Sequence, residues 1–481
     1  MTFPTRSFAV VLAAALTLAA CASPDGLVPT ARTTDPASLE GRAAFAQAPT
    51  RSDAWPVDDW WRAYGDPQLD TLVDEAIAGS PTLAVARARI EQADAAARFA
   101  DATRWPQLGV GAAVDRQRYS ENGLFPPPIG GSTLTTGQLA ASFSHQFDFW
   151  GKQRSAFDAA LSRARAAAIE GEAARLALAA AIAESYVELE HQYALRDVAE
   201  AAAKQRDRIR DLTGLRVQAG LETQVELRQS AASVFAARTD IAAADERIGL
   251  LRNALAALLG KGPDRGLAIT RPHLGDGPAA RLPSTLPADL LGRRPDVVAQ
   301  RLRVEAASSD IAAARAGFYP NVDLTAFLGL QSVGLGQLLK GASRIGDVNL
   351  AMSLPIFDGG RLRANLAARD ADYDLAVQQY NATLVEALRE VADQVNSWHA
   401  VDQQSADQHQ AQEQAEEAYR LALLRYQGAL SSYLTVLSVE SQVLAQQRMA
   451  ADLRARRLAI SIALSHALGG GFANTEPRAS R

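Results

Sequence analysis

The sequence predicts a mixed α+β protein: an internally duplicated chain of long coiled-coil helices that also lends four β-strands to a barrel pooled from several chains. Three observations lead there. Landmarks in the first half recur in the second at fixed offsets, two pairs of segments alternate apolar and polar residues, and very long helical patterns follow each pair. The composition agrees with them. Of 481 residues 48% are hydrophobic but only 6% aromatic, so Ala, Leu and Val carry the apolar content and favour long, thin helices over a thick aromatic core.

The first element is a targeting segment, residues 1–20. Arg6 supplies a positive start, and the apolar stretch Phe8–Ala20 is too short to span a bilayer as a helix, which needs about 20 residues. It ends Leu18-Ala19-Ala20-Cys21, similar to a bacterial lipobox: small residues admit the peptidase, and the thiol receives the lipid. Cys21 is the only cysteine in the chain, which favours lipidation over a chance residue after an ordinary signal and excludes an internal disulfide framework. Ala22 stands where inner-membrane lipoproteins carry Asp, so outer-membrane sorting is implied. Residues 21–54, rich in Ala, Pro, Thr and Asp, are expected to form a lipidated tether.

The duplication comes next. Pro81 and Pro106 match Pro295 and Pro320, both at an offset of 214; Gly151, Val217-Gln218-Ala219-Gly220-Leu221 and Leu259-Gly260 match Gly360, Tyr426-Gln427-Gly428-Ala429-Leu430 and Leu468-Gly469 at 209. The five-residue change falls between Pro106 and Gly151 and predicts a loop there. Each repeat opens with a helix, Pro81–Trp105 or Pro295–Tyr319, with proline where its missing N–H is harmless. Strand patterns follow: Leu108, Val110, Ala112 and Val114, then Leu139, Ala141, Phe143, Phe147 and Phe149; in the second repeat Val322, Leu324, Ala326, Leu328 and Leu330, then Val348, Leu350, Met352, Leu354 and Ile356. Residues 125–131 and 334–346 carry turn chemistry. Residues 151–217 then give a helical pattern of 67 residues, about 100 Å long. A short break precedes a returning helix opened by Thr223-x-x-Glu226, a capping box; Ser432 holds the matching position. The expected boundaries are 55–80 for a segment ahead of the duplication, 81–260 for the first repeat, 261–294 for a linker, 295–469 for the second repeat and 470–481 for a tail.

Alternating segments of about ten residues suit tilted transmembrane strands, with one face to lipid and one to water. Four strands cannot close a barrel, and an open edge in lipid is forbidden, so several chains must pool their strands. Eight, twelve or sixteen strands all satisfy that argument.

The sequence resembles the TolC-like outer-membrane factor family, in its lipoprotein branch. The residues that carry the resemblance are Trp60-Trp61-Arg62-Ala63-Tyr64-Gly65-Asp66-Pro67-Gln68-Leu69, Leu290-Leu291-Gly292-Arg293-Arg294-Pro295-Asp296-Val297, Phe318-Tyr319-Pro320, Leu354-Pro355-Ile356-Phe357-Asp358-Gly359-Gly360, Arg425-Tyr426-Gln427-Gly428 and Ala467-Leu468-Gly469-Gly470-Gly471. The resemblance implies a homotrimer with one 12-stranded barrel in the outer membrane, a helical tunnel in the periplasm, and a mixed equatorial region formed by the segment 55–80, the linker 261–294 and the C-terminal tail. It implies two partners, a periplasmic membrane-fusion adaptor and an inner-membrane transporter, in a tripartite efflux pump. No cofactor is expected apart from diacylglycerol and an N-acyl chain on Cys21. The second half further resembles the branch paired with transporters of aromatic acids such as fusaric acid.

Site residues follow from the same resemblance. Arg216, Val217, Gly220 and Leu221, with Arg425, Tyr426, Gly428 and Leu430, match the adaptor-docking tip; the plainer role for the glycines is to end helices. In Tyr433-Leu434-Thr435-Val436-Leu437, Leu434 matches an aperture residue that is equally suited to interhelical packing. The family's acidic lock position is Ser438 here, and Glu440 lies about 200° around the helix from it. The net charge of −5 gives no footprint for nucleic acid. Six His lie scattered without H-E-x-x-H spacing, and Gly260-Lys261-Gly262 lacks phosphate-loop spacing, so energy must come from the partner. A lipid-anchored adaptor would show one helical hairpin flanked by β-rich domains; a coiled-coil scaffold would lack the strands. An enzyme is the least supported class.

Overall fold

The computed structural model describes residues 23–35, 38–39, 50–51, 55–278, 282–283 and 290–473. The expected signal segment 1–20, the expected lipidation site Cys21, parts of the expected tether and linker, and the tail beyond residue 473 lie outside the described residues. The main elements are α1 (Pro67–Gly79), α2 (Pro81–Ala102), β1 (Gln107–Arg118), β2 (Thr133–Phe147), α3 (Lys152–Gln218), α4 (Gln224–Leu258), α5 (Pro295–Ala316), β3 (Asn321–Val333), β4 (Arg344–Ser353), α6 (Arg361–Gln427) and α7 (Tyr433–Ala467).

The duplication is exact in the helices. α2 and α5 each have 22 residues, α3 and α6 each have 67, and α4 and α7 each have 35. Most of the length difference between repeats falls in the hairpin loops 119–132 and 334–343 and in the second strand of each pair, 15 residues in β2 against 10 in β4. The predicted loop is therefore only part of the answer.

The chain divides into two compact units: Met1–Thr33, Ile90–Ala167 and Gln300–Tyr380, and Thr34–Arg89, Ala168–Ala299 and Asn381–Arg481. The first holds an antiparallel sheet in the order β1-β2-β3-β4. Its register aligns Leu108 with Phe143, Phe143 with Ala326 and Ala326 with Val348. Because side chains alternate along a strand, this rung and those two residues away place the predicted apolar positions within the strands on one face, whereas Phe149, Leu354 and Ile356, expected to extend the pattern, lie past the strand ends. Gln107, Asp115, Gln138, Ser142, Gln146, Asp323, Thr325, Asp347 and Asn349 occupy the other. In the same unit Ile311, Ala314, Phe318, Leu362 and Leu366 form a buried cluster against which Leu27 packs. The N-terminal strap around Leu27 is held along α6: Arg363 donates to the Ser23 carbonyl at 2.6 Å, and Asp374 accepts from the Thr30 and Ala31 amides at 2.9 and 2.8 Å.

The second unit explains two of the sequence motifs. Trp60, Trp61 and Tyr64 are buried in one turn, and Gly65 closes it in the left-handed region at φ 71°. Asp66 caps α1 by accepting from the Gln68 amide at 2.9 Å, and its other oxygen accepts from the Tyr186 hydroxyl at 2.8 Å. Trp60, Trp61, Tyr64 and Tyr186 join Leu69, Leu72, Ile182, Leu189, Leu255 and Ile462 in one buried core cluster. Arg294 is 5% exposed and meets Asp296 at 2.7 and 3.1 Å, Glu390 at 2.6 Å and the Ala467 carbonyl at 3.2 Å. A buried guanidinium requires that degree of pairing.

Candidate functional site

Two places can serve transport: the turns that join the long helices, and the sheet. At the first turn, the Gly220 amide donates to Val217 and the Leu221 amide to Arg216, at 3.0 and 2.9 Å; at the second, Ala429 and Leu430 repeat the pattern onto Tyr426 and Arg425, at 3.0 and 2.8 Å. The left-handed residues are Gly220 at φ 75° and Ala429 at φ 60°. The sequence points to Gly428 as the turn glycine; the left-handed position is one residue later and is held by an alanine, a strain of about 1 kcal/mol that glycine would avoid.

Gly220, Leu221, Arg425, Gly428 and Leu430 lie on the surface, with Leu221 and Leu430 59% and 73% exposed. Val217 is half-buried. Arg216 and Tyr426 point inward. Tyr426 is fully buried, its ring lies 4.5 Å beneath the Arg216 guanidinium, and Arg216 donates to the Tyr426 carbonyl at 2.8 Å. Arg216 also meets Glu222 at 3.3 Å, and the Tyr426 hydroxyl donates to Glu222 at 2.9 Å and lies 2.9 Å from the Thr213 hydroxyl. Burial, with the Glu222 charge, pushes the Tyr426 hydroxyl up to about 12. These contacts fasten the α3–α4 turn to the α6–α7 turn.

A second tie lies further along the helices. Glu440 is 1% exposed and pairs with Arg206 at 3.2 Å; burial raises its carboxyl above the usual range despite that charge. Arg206 also donates to the Ser233 carbonyl at 3.1 Å. Helical spacing turns Glu440 away from the gate face, but its partner Arg206 lies 234 residues away, beyond the reach of any local pattern. On the opposite side of α7, Leu434 and Ser438 are both exposed one turn apart, Leu434 at 57%. Val225, its counterpart in the first repeat, is exposed as well. The Thr223–Glu226 capping box is formed, whereas Ser432 makes no side-chain cap.

The sheet carries a sharp division of charge. Asp115, Asp323 and Asp347 share the polar face, while Arg116, Arg118 and Arg344 share the apolar face. Asp323 is held by the amides of Gln146 and Asn321 at 3.2 and 2.6 Å. At the helix end of the sheet Trp150 stacks on Tyr319 at 4.7 Å and donates to the Pro320 carbonyl at 2.8 Å, the amphipathic aromatic pair expected at a membrane interface. Among the described residues no helix is long and apolar enough to cross a membrane, and no His, Cys, Asp and Glu group could hold a metal.

Comparison with known proteins places this arrangement. The family described as "Outer membrane efflux protein" matches residues 72–261 and 286–470, the two repeats. Fusaric acid resistance protein FusA of Burkholderia cepacia is 40% identical over 368 residues, 75% of this chain and 68% of its own. Multidrug resistance outer membrane protein MdtP of Escherichia coli (strain K12) is 33% identical over 434 residues, 88% of each chain. The crystal structure of the outer membrane protein VceC from Vibrio cholerae superimposes with a TM-score of 0.82 at 41% identity, covering 87% of this chain and all of that one. The chain belongs to the outer membrane efflux protein family and is the outer-membrane channel component of an efflux system.

Proposed function

We propose that three copies of this chain, each anchored by a lipid on Cys21, form a duct that carries small drugs or aromatic compounds out of the cell. The observation that carries this reading is the four-stranded sheet: an apolar face, a polar face and two unpaired edges, β1 and β4. In lipid those edges can be satisfied only by other copies. The chain breaks no bond; an inner-membrane transporter supplies the energy, and a periplasmic adaptor opens the duct.

The adaptor would bind the exposed part of the tip, Gly220, Leu221, Arg425, Gly428 and Leu430, with Val217 at its margin. Arg216 and Tyr426 act behind that surface by holding the two turns together. Leu434 narrows the aperture, and Ser438, without a charge, leaves that ring unlocked by acidic groups; fastening passes instead to the Tyr426–Glu222–Arg216 and Glu440–Arg206 ties. FusA and MdtP, named for fusaric acid and multidrug resistance, support an aromatic or drug-like cargo. The test is export: in cells lacking their own outer-membrane efflux channel, this chain with a matched pump and adaptor restores resistance to such compounds, and a Leu221→Asp/Leu430→Asp variant fails to do so while still forming trimers. Full resistance in that variant contradicts tip docking.

A further inference from the structure

Arginine on the lipid face of a barrel is destabilising at mid-bilayer and tolerated near the headgroups. Here all three strand arginines sit on that face, and all at the hairpin-loop end: Arg116 and Arg118 close β1, opposite Thr135 and Thr133, and Arg344 opens β4, opposite Leu330. The loop between β3 and β4 bends over the same face. Leu335 and Leu338 lie where a side chain at Gly137 would stand, 2.8 and 3.3 Å from its Cβ position, so the loop leucines pack onto the strand backbone there. Leu339 beside them is 80% exposed, and Lys340 follows it. No ion pair to Arg116, Arg344 or Lys340 occurs among the described residues; Arg118 has Glu121 at 3.8 Å, both well exposed and weakly coupled. The strand carboxylates all face the other side of the sheet.

β1 and β4 are the free edges, so a barrel closed from copies of this chain sets Arg344 and Lys340 of one protomer beside Arg116 and Arg118 of the next. We propose that these residues form, at each subunit boundary, a binding site for the phosphate groups of the glycolipid in the outer leaflet. Guanidinium groups pair with phosphate through two parallel hydrogen bonds. Leu335 and Leu339 would meet the acyl chains beneath. The assignment rests on barrel closure, and its test reports closure separately.

The probe is lipid A carrying both phosphates, added to the detergent-solubilised trimer and counted by native mass spectrometry. The trimer mass itself reports closure. The wild-type trimer should retain the lipid through detergent washing, and a dephosphorylated probe should be lost. Arg116→Gln/Arg118→Gln/Arg344→Gln should weaken retention roughly tenfold or more, while lumen-face Asp347→Asn leaves it unchanged. Inorganic phosphate in excess should not displace the lipid. If the triple variant fails to assemble, Arg116→Gln and Arg344→Gln alone, from opposite edges, should each weaken retention. An assembled variant that holds the lipid like wild type, equal retention of the dephosphorylated probe, or displacement by phosphate overturns the proposal.

Discussion

The hydroxyl of Tyr426, the next-to-last residue of α6, donates a hydrogen bond to Glu222 of the α3–α4 turn at 2.9 Å. This bond crosses between the two repeats of one chain, and the carboxylate that accepts it also holds Arg216. Tyr426→Phe keeps the ring beneath Arg216 and removes only the hydroxyl. A hydrogen bond to a charged group contributes about 1.5–3 kcal/mol, so the open fraction of single channels should rise roughly tenfold or more. Planar-bilayer recording of the variant checks this, and an unchanged open fraction places the resting closure elsewhere.

Leu434→Ala removes exposed apolar bulk one turn before Ser438. If Leu434 faces the aperture, unit conductance rises with no loss of stability, because the residue is already exposed. If Leu434 packs between helices, conductance stays level and the melting temperature falls.

The three lumen-face carboxylates, Asp115, Asp323 and Asp347, have no arginine on their face of the sheet. Conduction should favour cations, most strongly at low salt where the screening length exceeds about 10 Å. Reversal potentials across a salt gradient measure the preference, and Asp323→Asn/Asp347→Asn should move them toward zero. An unchanged reversal potential in that variant locates the charge filter outside the barrel.

Asp374 and Asp370 on α6 respond to acid in opposite senses. The Ala31 amide and the Thr30 hydroxyl and amide hold the Asp374 carboxyl below its usual range, whereas burial raises that of Asp370. A lowered folded value means that the Asp374 contribution is present above the ordinary aspartate range and lost as pH falls through the folded value. A raised one means that ionised Asp370 opposes folding as pH rises through its window. Protection factors against hydrogen exchange at Thr30 and Ala31 should therefore be high at neutral pH, low in strong acid, and low at all pH in Asp374→Ala. Asp370→Asn should raise the melting temperature at neutral pH.

Thr223→Ala removes the hydroxyl half of the capping box and should destabilise the start of α4 by about 1 kcal/mol. Ser432→Ala at the matching position, where no side-chain cap forms, should change little. Local hydrogen exchange separates the two.

The repeat, the strand faces and the capping box were legible because each is written in local spacing: period two for Leu108 to Val114, a constant 209 between Gly220 and Ala429, a hydroxyl three residues before Glu226. The lock around Tyr426 was not. Its partners Thr213, Arg216 and Glu222 lie more than two hundred residues upstream, and Val217, the repeat counterpart of Tyr426, gives no hint of them. The burial of Glu440 is of the same kind, since an acidic residue on a helix declares its face but never its partner. Ala429 shows a third limit: the turn needs a left-handed residue, and glycine, the residue type that favours that conformation, stands one position earlier at Gly428.

The most direct test is the mass and conductance of the lipidated, detergent-purified protein. A trimer with discrete single-channel currents is the predicted result. A stable monomer without channel activity would contradict the shared barrel, and with it the efflux duct.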